Sequence, residues 1–145
     1  MLRLEDLAVD DPRWATALPV LQELRPHLDA AALCSVYAEG HPHGYRFLAA
    51  FDAERCLGVA GYRVLATAAT VRKLYVDDLV TAASGRSAGV GHALLAELER
   101  RARDAGCTVL DLDSGVQRHH AHRFYFRERM RISSHHFAKS LEDTP

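Results

Sequence analysis

Cysteine is scarce in this chain: three residues in 145, Cys34, Cys56 and Cys107, odd in number and set among apolar neighbours. Such spacing excludes a disulfide framework and offers no zinc-ligand pattern, leaving buried, inert thiols of the kind a reducing compartment keeps. Long apolar runs are missing too, none approaching the roughly 20 residues that cross a bilayer. A charge excess is equally absent. With 18 Lys and Arg against 19 Asp and Glu the formal net charge is -1, which lacks the basic footprint of a nucleic-acid binder. No repeat, linker or low-complexity tract interrupts the chain. The opening residues, MLRLEDLAVDDPRW, carry Glu5, Asp6, Asp10 and Asp11 where a secretory leader has an unbroken apolar core. The expectation is therefore a cytoplasmic protein, with neither membrane nor nucleic acid as partner.

What is present fits a globular fold: 48% hydrophobic and 26% charged residues, over a length that buries one core, predicting a single domain spanning 1–145. Residues 11–25 read as a helix with Asp11 as cap and Pro12 in the first turn, broken or bent at Pro19. A second helix follows over 29–40, capped by Asp29 and stopped by Gly40, so two helices precede any strong strand. From Tyr45 to Thr67 two apolar, branched and aromatic runs flank the polar turn 52–55, a hairpin signal. TVRKLYVDDLV (70–80) predicts a third strand, and Val90, Leu94, Leu95, Leu98 and Ala102 share one face of a helix that Gly106 ends. TVLDLD (108–113) reads as a buried strand, HHAHRFYFRER (119–129) as a helix, and SHHFAKSL (134–141) as a final strand. The order predicts an α+β (mixed α/β) domain whose central mixed, mostly antiparallel sheet is flanked by helices. Its strand, helix, strand centre makes a parallel crossover.

Between the third strand and its helix lies GRSAGVG, residues 85–91, where small residues meet a helix N-terminus. Free backbone N–H groups, the helix dipole and Arg86 suit a diphosphate there. Two phosphate loops are excluded by spacing: a Walker loop needs Lys-Ser/Thr after its last glycine, where His92-Ala93 stand, and a dinucleotide fingerprint needs glycine at 94, which is Leu94. Arg86, Gly89 and Gly91 match R/Q-x-x-G-x-G/A, the acyl-CoA loop of the GNAT superfamily of acetyl-CoA-dependent N-acetyltransferases. About 30 residues on, Ala121, Phe124 and Tyr125 of AHRFYFRERM match that family's A-x-x-F-Y segment. The chain thus resembles a GNAT domain over most of its length, least over residues 1–40. Two positions depart: Arg118 stands where an Asn is frequent, and Arg129-Met130 replace Gly-Phe.

The resemblance implies acetyl-CoA as co-substrate, its pyrophosphate on Arg86, Ser87, Ala88, Gly89, Val90 and Gly91, its pantetheine arm along Leu79, Val80 and Thr81, and Arg118 near the cofactor. It implies acetyl transfer to a primary amine of a small molecule or peptide, directly in a ternary complex. Tyr125, a phenol able to protonate a departing thiolate, matches the family's general acid. For the base, Asp77 matches the polyamine-acetylating branch, and Asp78 is the second choice. Neighbours in a plain strand point to opposite faces, so only one of the two should meet a given cleft. No cysteine has a neighbouring base to support a thiol relay. The nine histidines, HHAH at 119–122 included, lack metal-ligand spacing, so no metal is expected; His41 and His43 belong to a loop on the acceptor side. A non-catalytic acyl-CoA sensor of the same fold stands as the alternative, and a homodimer is possible by analogy.

Overall fold

The computed structural model describes residues 1–86 and 88–142, which form two compact units, Met1–Leu112 and a second from Asp113 onward. The first unit is built in the order β1 (Leu2–Leu7), α1 (Trp14–Leu24), α2 (Ala30–Gly40), β2 (Arg46–Asp52), β3 (Arg55–Thr67), β4 (Val71–Thr81), α3 (Val90–Asp104) and β5 (Val109–Leu112). The strands make one sheet in the order β1-β2-β3-β4-β5. The first three pairings are antiparallel and β4–β5 is parallel. Hairpin and crossover thus stand as the sequence pattern predicts. The hairpin turn is the dipeptide Ala53-Glu54, with Ala53 in the left-handed region at φ 52°.

The helices cover both faces of this sheet. Phe47, Ala49, Phe51, Val59 and Val80 share a core with Trp14, Leu18 and Leu21 of α1 and Leu33 and Tyr37 of α2. Their neighbours Leu48, Ala50 and Ala60 are just as buried, and α3 packs against β2, β3 and β4. Gly58 lets α3 sit that close: a Cβ there would meet Val90 Cγ1 at 2.7 Å and Leu94 Cδ1 at 2.9 Å. All five residues read as the apolar face of α3 are buried.

Several local expectations are corrected. A strand, β1, precedes the two helices; its charged Arg3, Glu5 and Asp6 hide an edge strand of only six residues. Asp11 caps a turn rather than α1: its carboxylate accepts from the Ala8 and Arg13 N–H groups, and the helix starts at Trp14. Pro19 does not break α1. It and Ala15, whose carbonyl it leaves without an N–H, both lie exposed, where water satisfies that carbonyl. Asp29 does cap α2, accepting from Ala32 N–H at 2.8 Å. Cys34 is exposed, whereas Cys56 is buried and its thiol is pushed up to about 11 by desolvation. Residues 134–141 form no strand; every one is exposed, and none joins the ladder that a strand requires.

The second unit contains α4 (His119–Arg127). It closes with the Met130 N–H donating to Tyr125 O and the Arg129 N–H to Phe126 O, both at 3.0 Å, the paired bonds that favour a left-handed residue between them. That residue is Arg129, at φ 66°, where the family pattern has glycine. A side chain costs roughly 1 kcal/mol in this conformation. Arg129→Gly is therefore expected to stabilise α4 by about that amount, read as slower amide exchange over 124–130; unchanged exchange would mean the backbone strain is relieved elsewhere.

Candidate functional site

Between Gly61 and Tyr62 the register of β3 against β4 slips by one, so Asp78 opposes Gly61, Val76 opposes Tyr62, and Asp77 opposes nothing. This is a β-bulge, and it overturns the expectation from plain alternation. Asp77 and Asp78 both line one cleft of about 430 Å³, with Arg25, Val36, Glu39, Gly40, His43, Tyr45 and Arg63.

Each aspartate is held differently. Asp78 is buried, 6% exposed, and accepts from Arg25 Nε at 2.8 Å and from the Tyr45 hydroxyl. Arg25, just past the end of α1, also donates to the Asp77 carbonyl at 2.8 Å, fastening that helix end to the bulge. Gly61 makes room for this: a Cβ would run into Asp78 Oδ2 and come within 2.8 Å of Phe47 Cε1. Burial, then the negative Asp78, keep the Tyr45 phenol protonated far beyond its ordinary range. Asp77 is half-buried and accepts two parallel bonds from Arg63, Nε at 2.9 Å and Nη2 at 2.8 Å. Desolvation raises its pKa above the ordinary Asp value, against the opposing pull of Arg63.

Beyond the bulge β4 has no ladder partner on its β5 side among the described residues, because its pairing with β5 ends at Val76 opposite Leu112. Ala82 N–H turns back to Leu57 O on β3 at 2.8 Å. Strand alternation then directs the backbone groups of Thr81 and Leu79 to the β5 side. The chain continues through a single 3-10 turn, Ala83–Gly85, to the glycine loop. Gly89 sits at φ 77° as the N-cap of α3 and, having no side chain, makes no cap bond of its own to the helix's first amides. Val90 is 2% exposed and can offer only its backbone N–H. Ala88 and Gly89 are exposed, and Gly91 less so. Arg86 projects outward, 3.8 Å from Glu23 Oε1, which also accepts from Ala83 N–H. Ser87 lies outside the described residues.

In the second unit the Arg118 guanidinium lies near enough to the Tyr125 hydroxyl to act on it electrostatically. Burial raises the phenol's pKa and Arg118 opposes the rise. His122 bonds Gly115 O at 2.8 Å through its ring, and His119 packs edge-on against it. His43 borders the cleft of the first unit, while His41 packs against Tyr37.

Sequence reasoning passed over Arg25, Tyr45, Arg63 and Gly61. Only Gly61 left a signal: an isolated glycine inside a strand marks a bulge or a close approach.

The first unit thus carries a cleft with two carboxylates at a bulge, a strand that outruns its β5 partner, and a helix that starts behind a glycine loop. The sequence profile of the acetyltransferase (GNAT) family matches residues 3–130, and the chain belongs to that family. It is 32% identical over 126 residues to an N-acetyltransferase of Bacillus subtilis described as uncharacterized, a match covering 86% of this chain and 88% of that protein. An acetyltransferase of Trypanosoma brucei superposes with a TM-score of 0.79 at 23% identity, covering 97% of this chain and 100% of the other. An aminoglycoside N-acetyltransferase in complex with CoA gives 0.83 at 13% identity over 97% and 95% of the two chains, a likeness of fold. The family uses acyl-CoA, and this chain is an acetyltransferase of the GNAT type. No helix among the described residues is long and apolar enough to cross a membrane.

Proposed function

We propose that this protein moves an acetyl group from acetyl-CoA to a primary amine, of a small molecule or a peptide, by direct attack in a ternary complex. The observation that carries this reading is the bulge, which turns both aspartates into one cleft beside the end of β4 that outruns β5. Glu39, Asp77 and Asp78 outnumber Arg25 and Arg63 there, a balance that draws in a cationic amine.

Asp77 takes the amine's proton, directly or through water. Desolvation raises the pKa of its half-buried carboxylate, whereas Asp78 is committed to Arg25 and Tyr45 and positions the cleft. The amine nitrogen bonds to the acetyl carbon, the C–S bond breaks, and Tyr125 gives its proton to the thiolate of CoA. The backbone of Leu79, Val80 and Thr81 holds the pantetheine arm. Arg86 and the amides of Ser87, Ala88, Gly89, Val90 and Gly91 hold the pyrophosphate. Arg118, in place of the usual Asn, steadies the Tyr125 hydroxyl. The non-catalytic alternative draws on the fact that both aspartates already have arginine partners.

Thermal unfolding with acetyl-CoA, CoA, ATP and NAD in parallel tests the cofactor. A ligand at 100 times its dissociation constant adds about 2.7 kcal/mol, so the CoA species alone should raise the midpoint by several degrees. An equal shift with ATP, or none with CoA, overturns the loop assignment. Thiol release across an amine panel follows; a shift without release on any amine replaces the catalytic reading by the sensor.

A further inference from the structure

The cleft that holds the two aspartates is lined by two guanidinium groups as well, Arg25 and Arg63, and each has donors to spare. Arg63 spends its Nε and one N–H of Nη2 on the Asp77 carboxylate, and Arg25 spends the same two on the Asp78 carboxylate and the Asp77 carbonyl. A guanidinium carries five N–H donors in a planar fork, so each keeps its outer edge, and the Nη1 of neither donates to any group among the described residues. Arg63 and Arg25 are 37% and 38% exposed, open enough for a ligand to reach them.

Arg63 is the more firmly aimed of the two. One edge of its fork lies on Asp77 through two parallel bonds, and its face lies over the Tyr75 ring, with the guanidinium carbon 5.4 Å from the centroid. Held both in its plane and on its face, it presents a fixed outer edge of the kind that takes a carboxylate or a phosphate by paired N–H bonds. Arg25 has a different duty, since it fastens the end of α1 to the bulge.

Charge in the cleft comes in both signs. Each aspartate is already matched by its arginine, and Glu39, exposed and without an ion-pair partner among the described residues, adds a further negative group. A plain amine leaves the outer edge of Arg63 unused, and a diamine would bring a second cation where that guanidinium already stands. A molecule of both signs meets both, its ammonium toward Asp77 and Glu39 and its anion on Arg63. Because Arg63 sits directly on Asp77, the two charges of such a molecule stand only a few bonds apart. Val36, exposed in the same cleft, gives apolar cover to a short carbon link.

We propose that the acceptor is an amine that also carries an anionic group, a carboxylate or a phosphate, a few bonds from its nitrogen, and that Arg63 selects it by binding that group. The inference rests on the amine-acetylation reading above and names the class of acceptor within it.

Rates of CoA release with β-alanine, phosphoethanolamine, propylamine and diaminopropane compare the classes at similar length. One or both of the anionic amines should exceed the other two in kcat/KM by about tenfold or more, and the leader identifies the anion. In Arg63→Gln that preference should fall to within about threefold of unity, chiefly through KM. Because the ratio compares substrates on one enzyme, a general effect of the variant on Asp77 divides out. The native panel decides alone should a thermal scan show the variant unfolded. Equal rates on propylamine, a preference for diaminopropane, or an anionic preference that survives Arg63→Gln overturns the proposal and leaves acetyl transfer standing. Absence of CoA release on every amine counts against acetyl transfer alone, and calorimetric titration then decides the anion site. β-Alanine or phosphoethanolamine binding about tenfold tighter than propylamine upholds it, and equal or absent binding overturns it.

Discussion

Asp78→Ala is expected to lower the melting midpoint by roughly 10 °C, from a loss of about 3 kcal/mol. The substitution leaves the Tyr45 hydroxyl and Arg25 Nε without their shared acceptor at a site only 6% exposed. Removing one member of a buried ion pair costs about 3–5 kcal/mol, and the low end applies because Arg25 is 38% exposed and can be partly rescued by water. The neighbouring change, Asp77→Asn, should behave in the opposite way. Its partner Arg63 is 37% exposed, so stability should move by no more than about 1 kcal/mol, while turnover should fall by about 100-fold or more if Asp77 is the base. Urea titration and steady-state rates on both variants separate the roles. Native-like melting in Asp78→Ala would show that the pair does not fasten α1 to β4, and native-like turnover in Asp77→Asn would remove it as base.

Tyr125→Phe should cut kcat by about 100-fold or more while the midpoint and the acetyl-CoA shift stay near native. The phenol is a sound acid over the working range, because burial holds its pKa above the ordinary tyrosine value even with Arg118 pulling it down. Losing the hydroxyl removes little packing, since the rings of Tyr125 and Phe124 keep their edge-on contact at 5.5 Å. Single-turnover measurement of CoA release is the direct readout. A kcat within threefold of native would assign the thiolate's proton to another donor.

The elements that short-range patterning specifies were readable in the residues. The face of α3, the β2–β3 hairpin and the parallel crossover each follow from spacings within a few positions. The site was half readable. Asp77 and Asp78 stand out as chemistry, but two adjacent aspartates in an apolar strand look like simple alternation, and the extra residue appears only once β3 is laid beside β4. Arg25 and Arg63 reach the same two carboxylates from α1's end and from β3, and nothing local marks either for that task. β1 went unseen because its polar positions are those of an edge. The stretch 134–141 was read as a strand because its composition is that of one, yet pairing depends on a second strand that sequence periodicity cannot supply.

The bulge at Asp77 also works as a phase shift. Without it, β4 would keep one parity from end to end, and Asp78, Leu79, Val80 and Thr81 would each present the opposite side. Val80 now belongs to the core shared with α1 and α2. Deleting one residue at 77 would swing it toward α3 and drive the polar Thr81 inward. The acidic pair and the packing of the strand that leaves it are therefore counted by the same residue, and a lineage could not lose this geometry gradually: a single-residue deletion would exchange the inner and outer surfaces of everything downstream in the strand.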